Sequence, residues 1–197
     1  MNTYAIIGTA ILLVFYGSYY IKIFMQSKNG IKTYQLAKGS KHKKTFAIER
    51  VLKLITFLTA FVQFLSIVFM GELPALLHND FIRYAGFIIS SIGVAIFITA
   101  MVTMRDNWRV GIVETQKTRI ITTGIYKYSR NPAFVGFDLF YIGIAVAFPN
   151  IFNTLLAFAS ILMLHLQILE EEKFLSLVFG TEYLAYKEKI GRYFGKR

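Results

Sequence analysis

Five apolar runs constrain this chain more than any other feature. They cover residues 4–21, 51–70, 84–104, 132–148 and 151–169. A helix that crosses the hydrocarbon core of a bilayer needs about 20 apolar residues. Within lipid only helices and closed barrels satisfy their own backbone groups. The fourth run reaches the required length only barely. Composition agrees, since 55% of the 197 residues are hydrophobic and 16% aromatic, and a soluble domain of that size does not carry several long apolar runs. The expected fold class is all-α, a polytopic membrane protein with five transmembrane helices. The first run lacks a basic leader and a clear small-residue cleavage site, so it reads as a retained helix rather than a signal peptide.

The formal charge of +11 taken alone suits a nucleic-acid binder, but its distribution points to a membrane. Residues 26–50 carry seven Lys/Arg, 104–131 carry six and 170–197 carry six. The connection 71–80 has none and contains Glu72 and Asp80, and the turn 149–150 is uncharged. Positive charge therefore marks alternate loops. By the positive-inside rule the N-terminus lies outside and the C-terminus in the cytoplasm. The absence of cysteine excludes disulfides and thiolate chemistry, and three scattered histidines argue against a zinc site. The basic stretch 26–46 reads as a solvated loop near anionic headgroups, with a gating role as the alternative. Gly86, Ser90, Ser91 and Gly93 in the third run suit close helix packing. Trp108 is expected to anchor at the membrane interface.

The polar residues that flank the last two runs carry the chemistry. Residues 124–136 read Gly-Ile-Tyr-Lys-Tyr-Ser-Arg-Asn-Pro-Ala-Phe-Val-Gly, and the hairpin after them ends in Glu170-Glu171-Glu172. Asn131 suits a helix N-cap and Pro132 the first helical position. A helix over 132–148, a turn at Pro149 and Asn150, and a second helix over about 151–169 have similar lengths. They return Arg130 and Asn131 to the same face and depth as Glu171 and Glu172. Polar groups so close to membrane spans are costly and usually have a task. Asp138, about two turns into the fourth helix, either lines a tunnel or pairs with Lys53 or His165.

The arrangement resembles the integral-membrane methyltransferases of the isoprenylcysteine carboxyl methyltransferase family, related to the phospholipid N-methyltransferases. Their signature, Arg-His-Pro-x-Tyr-x-Gly, is similar to Arg130-Asn131-Pro132-Ala133-Phe134-Val135-Gly136. Their second element, Glu-Glu-x-x-Leu-x-x-x-Phe-Gly-x-x-Tyr, is similar to the stretch from Glu171-Glu172 through Leu175, Phe179 and Gly180 to Tyr183. The resemblance covers roughly residues 105–197. It implies one domain, with residues 1–104 as three N-terminal helices and 105–197 as a catalytic half that closes with an amphipathic tail. The implied activity is methyl transfer from S-adenosyl-L-methionine to a lipophilic acceptor, such as the carboxylate of a prenylcysteine-like compound. The cofactor pocket would lie at the cytoplasmic base of the hairpin of helices four and five.

The resemblance assigns cofactor binding to Glu171 and Glu172, and to a backbone element at 120–126 that includes Ile121, Thr123, Gly124 and Tyr126. A plain turn before a helix is the other reading of Gly124. Carboxylates suit the cofactor's ammonium or ribose hydroxyls, and Arg130 with a helix N-terminus suits its carboxylate. Asn131, Pro132 and Phe134 complete the cofactor set, and Arg130, Asn131 and Arg192 are the candidates for catalysis. A lipid contact is the equal alternative for Arg192. Three departures stand out. Asn131 replaces a histidine and is no base near neutral pH, and Phe134 replaces a tyrosine. Gln167 lies where relatives carry an arginine nearby, which puts an acidic acceptor in question. The rival readings are an NADPH-dependent membrane reductase of the sterol or steroid type, which shares an Arg-His-Pro-like region, and a non-catalytic membrane scaffold. A channel would need a second copy of the Asn-Pro-Ala motif.

Overall fold

A computed structural model describes residues 2–112 and 119–196. Five α-helices make up the described part: α1 (Thr3–Lys28), α2 (Lys43–Val68), α3 (Asp80–Met104), α4 (Pro132–Ala147) and α5 (Ile151–Lys189). Two short 3-10 turns, Arg105–Asn107 and Gly124–Lys127, flank the connection between α3 and α4. Four helices, α1, α2, α3 and α5, are long and apolar enough to cross a membrane. At 16 residues, α4 is the short one and spans roughly 24 Å.

Side-chain caps set most of the helix starts. Asn2 accepts from the Tyr4 amide at 3.1 Å, Asn79 from Ile82 at 3.1 Å and Asn150 from Asn153 at 3.0 Å. The α4–α5 turn is polar yet buried, and its groups are paired except Asn153 Oδ1. Asn150 Nδ2 donates to Ser66 Oγ at 2.8 Å, and Asn153 Nδ2 donates to the carbonyls of Ile144 and Phe148. An unpaired amide at this depth would cost a few kcal/mol, on the order of 1–3.

The antiparallel pair α3–α4 is the tightest contact in the molecule. A Cβ on Gly86 would lie 2.5 Å from the Ala147 nitrogen, and one on Gly93 would lie 2.5 Å from the Phe140 nitrogen. Gly136 and Gly143 answer from α4, facing Phe97 and Ser90. Gly86, Ser90 and Gly93 thus work as packing residues, whereas Ser91 is exposed. A buried hydrogen bond, Thr59 Oγ1 to Ser160 Oγ at 2.7 Å, joins α2 to α5. Tyr16 donates to Gln63 at 2.9 Å and joins α1 to α2. Phe15 fills the centre, stacked on Phe140 at 3.7 Å between ring centroids and edge-on to Phe137.

Three expectations need correction. First, α5 does not stop near residue 169. It runs through Glu170, Glu171 and Glu172, all good helix formers, to a break at Gly180 (φ 50°, ψ −125°), after which the chain is helical again to Lys189. The glutamates are therefore mid-helix, away from any helix terminus. Second, Trp108 is not an interface anchor. It is 4% exposed and packs edge-on against Tyr19 and Phe97. Third, the 26–46 loop is not simply solvated. The Gln35 amide bonds the Val110 carbonyl at 2.9 Å, the Val110 amide bonds the Thr33 carbonyl at 3.0 Å, and Thr33 and Leu36 are buried.

Glu49 in α2 fixes that loop, and it is wholly buried. One carboxylate oxygen accepts from the Ala37 amide at 2.7 Å and from Lys41 Nζ; the other accepts from the Ile112 amide at 2.9 Å. A buried carboxylate is tolerated because it is paired with a cation and two amides. Replacing Glu49 with Gln should destabilise the protein by about 1–3 kcal/mol, since the amide end faces a donor. Limited proteolysis should then cut the 30–42 loop faster. An unchanged digestion pattern would count against the clamp.

Candidate active site

The hairpin of α4 and α5 brings its two polar ends together. Pro132 is the first residue of α4 and Asn131 its N-cap by position, but the Asn131 side chain does not cap the helix. Its Nδ2 donates instead to Glu172 Oε1 at 3.2 Å and to the Arg192 carbonyl at 3.2 Å. Glu172 is the hub of a buried cluster. Arg130 Nη2 lies 3.1 Å from Glu172 Oε1, and the Arg192 guanidinium bonds both Glu172 oxygens at 3.1 and 3.0 Å. The Glu172 bond holds the Arg192 pKa above its ordinary value. Two cations and an amide on one carboxylate offset the cost of burying it.

The tail closes this cluster from below. After the Gly180 break, Tyr183 and Tyr186 turn inward. Tyr186 donates to the Tyr126 carbonyl at 2.6 Å, and Tyr183 OH lies 3.4 Å from Arg130 Nη1. The Arg130 amide bonds the Gly191 carbonyl, and the Gly195 amide bonds the Tyr128 carbonyl. Of the two places an aromatic and basic tail suits, against the headgroups or capping the bundle, the residues from Tyr183 to Gly195 take the second.

Glu171 takes a different direction from Glu172, because consecutive helical residues point about 100° apart. Its Oε1 accepts from Gln167 Nε2 at 3.0 Å, and its side chain lines a cavity of about 890 Å³. Among the sequence-predicted residues, Ile121, Tyr126, Arg130, Asn131, Phe134 and Glu171 are in the cavity wall. Pro132, Glu172 and Arg192 sit behind that wall, as part of the ion-pair cluster or of the helix start. Thr123 and Gly124 are exposed. Gly124, at φ +59°, presses against Thr103 of α3, where a Cβ would approach Thr103 Cγ2 to 2.9 Å. Burial raises the Tyr126 pKa, so this phenol stays neutral.

The cavity extends far beyond these residues. Its upper walls are Phe15, Tyr16 and Tyr19 of α1, Phe57 and Ala60 of α2, and Tyr141 of α4. One continuous space therefore has a polar, charged end and an apolar, aromatic end. Tyr34 and Leu36 of the Glu49-clamped loop form part of its wall. Sequence reasoning missed Glu49, although it is the lone acidic residue in the basic stretch 26–50. Asp138 takes neither role expected of it. It is not in the cavity wall, it pairs with neither Lys53 nor His165, and its Oδ1 is buried without a hydrogen bond. His165 bonds the Tyr193 hydroxyl instead. No group of three or more metal-ligating side chains occurs among the described residues.

Comparison with known proteins now decides the family. The phospholipid methyltransferase family profile matches residues 81–182, just over half of the chain. The chain belongs to the phospholipid methyltransferase family. A probable protein-S-isoprenylcysteine O-methyltransferase from Oryza sativa subsp. indica is 28% identical over 187 residues, covering 92% of this chain and 90% of the relative. Protein-S-isoprenylcysteine O-methyltransferase A of Arabidopsis thaliana is 26% identical over 151 residues, covering 75% and 72%. The protein-S-isoprenylcysteine O-methyltransferase of Saccharomyces cerevisiae is 35% identical over a shorter stretch of 85 residues, 41% of this chain and 35% of the relative. This member of the phospholipid methyltransferase family is an integral-membrane methyltransferase. The matched span contains all of α4, Arg130, Asn131 and the three glutamates.

Proposed function

We propose that the chain transfers a methyl group from S-adenosyl-L-methionine to a lipophilic acceptor, at the cytoplasmic base of the α4–α5 hairpin. The carrying observation is one continuous cavity of about 890 Å³, which joins a charged pocket to an aromatic channel. The volume lies within the usual range for small-molecule sites, roughly 300–1,000 Å³, and has room for a cofactor and part of an apolar chain. The fit to the cofactor rests on the charged end. Arg130 is 6% exposed, and its Nε is a buried donor without a hydrogen-bond partner. The start of α4 follows it in the chain, and Glu171 shares the cavity wall with it. A ligand carrying both a carboxylate and an ammonium matches such a set.

S-adenosylmethionine, when bound, supplies an electrophilic methyl group on a sulfonium. Arg130 and the α4 N-terminus hold its carboxylate, and Glu171 its ammonium or ribose hydroxyls. The 120–126 element forms the adenosine side through Ile121 and Tyr126, closed by Phe134 and the α5 face, while Thr123 and Gly124 shape the turn that presents them. Asn131 orients groups by hydrogen bonding and takes no proton. Glu172 and Arg192 are positioning residues that hold Arg130 and Asn131 in place. A carboxylate acceptor needs no general base, so proximity and exclusion of water carry the rate. The acceptor enters from the bilayer between α1 and α2 with its reactive end toward Glu171. A prenylcysteine-like carboxylate is the acceptor we favour, following the names of the relatives.

In this reading α4 is the fifth span, its roughly 24 Å extended by the buried 148–150 turn. The N-terminus is outside and the C-terminus cytoplasmic, in keeping with the charge of alternate loops. The whole chain then acts as one methyltransferase domain.

Two measurements test the proposal. Purified protein in liposomes should move a labelled methyl from S-adenosylmethionine to N-acetyl-S-farnesylcysteine, and base treatment should release the label as methanol. Label in a base-stable product would reject a carboxylate acceptor. Glu171→Gln should weaken S-adenosylhomocysteine binding by about 10–100-fold, the worth of one charged hydrogen bond, with the thermal midpoint little changed. Wild-type affinity would remove Glu171 from the site.

A further inference from the structure

Gln167 is almost fully buried, at 1% exposure, and it lies in the cavity wall. Its side chain is hemmed in by two carboxylates. The amide Nε2 donates to Glu171 Oε1 at 3.0 Å and lies 3.5 Å from Glu49 Oε1. Those neighbours fix which end of the amide is which. A flipped amide would turn its oxygen onto two carboxylates and lose both donors. The carbonyl oxygen therefore points the other way, and Gln167 Oε1 is a buried acceptor with no hydrogen-bond partner. Buried acceptors are rarely left so, and leaving one unpaired is costly. A cavity-wall acceptor without a protein partner is built for a donor on a ligand.

We propose that Gln167 Oε1 acts with Glu171 as a second acceptor for the ammonium group of the bound cofactor, and that Glu49 positions it by holding the amide nitrogen. The inference rests on the reading of the cavity as an S-adenosylmethionine site. An ammonium has three N–H donors and no acceptor capacity. Two acceptors one helical turn apart on α5 answer two of those donors. The orphaned Arg130 Nε is a donor of opposite character, suited to the carboxylate of the same amino-acid group. A glutamine suits this place because it neutralises neither neighbour, whereas an arginine would engage Glu49 and Glu171 and present no acceptor.

The test is calorimetric titration of the detergent-purified full chain with two probes. S-adenosylhomocysteine carries the amino-acid group, and 5′-methylthioadenosine lacks it. Gln167→Met keeps the volume and removes the acceptor. It should weaken S-adenosylhomocysteine binding by roughly tenfold to hundredfold and leave 5′-methylthioadenosine within about twofold, inside the error of a site that no longer sees the change. Equal affinity of wild type and variant for S-adenosylhomocysteine, or an equal loss for both probes, would overturn the proposal. Wild-type protein offers a check that needs no variant. Des-amino S-adenosylhomocysteine should bind at least tenfold more weakly than the parent, and equal binding would overturn the proposal too. Failure of wild type to bind S-adenosylhomocysteine at all would instead reject the cofactor assignment beneath it.

Discussion

Replacing Glu172 with alanine is expected to destabilise the protein by about 3–5 kcal/mol, the usual cost of removing one partner from a buried ion pair. The side chains of Arg130 and Glu172 are 1% and 4% exposed, so water cannot replace the lost carboxylate. Asn131 Nδ2 would keep only the Arg192 carbonyl as acceptor. Arg192→Ala should cost much less, because that side chain is 33% exposed and Arg130 remains to balance Glu172. The ranking is the informative part. Thermal unfolding in detergent should give Glu172→Ala a far lower midpoint than Arg192→Ala, and equal midpoints would mean that Glu172 is not the hub. Glu171→Gln serves as the contrast, since it should lose ligand affinity while keeping its fold.

The second large effect lies away from the chemistry. A Cβ on Gly143 would collide with the Ser90 amide nitrogen and come within 2.6 Å of the Gly86 carbonyl oxygen. Both are backbone atoms, so no side-chain rotation relieves the clash. Gly143→Leu should force α3 and α4 apart at a cost of about 3 kcal/mol or more, the upper end of overpacking effects. Folded yield should fall sharply, and Gly143→Ala should fall between. Gly17→Ala on α1 is the control. Nothing lies within 4 Å of a Cβ there, and alanine is the better helix former by roughly 1 kcal/mol, so its midpoint should hold or rise. Loss of folding in both variants would mean that glycine is needed for its backbone freedom rather than its size.

The sequence reveals some of these features and hides others, for physical reasons. Apolar runs mark the helices because burial in lipid demands them, and their borders fall within a few residues of the caps at Asn79 and Asn150. The meeting of Arg130 and Asn131 with the glutamate run is legible because two helices joined by a tight turn must return to the same depth. The different surroundings of Glu171 and Glu172 are harder to read. They follow from a rotation of about 100° per residue that matters only once α5 is known to continue. The chain offers no glycine or proline between Pro149 and Gly180, and that was the available sign that α5 runs on. Glu49 illustrates a deeper limit. Its partners are Ala37, Lys41, Ile112 and Gln167, and the last two lie far along the chain, so no local pattern announces them. Trp108 is read as an interface residue from its residue type, while its burial comes from Tyr19 of α1 and Phe97 of α3, which pack edge-on against it.

The cofactor assignment is the claim on which the rest depends. Calorimetric titration of the detergent-purified protein with S-adenosylhomocysteine, and in parallel with NADPH, tests it most directly. The account predicts saturable one-site binding of S-adenosylhomocysteine and no heat of binding from NADPH. Binding of NADPH alone would contradict it and assign the cavity to reductase chemistry.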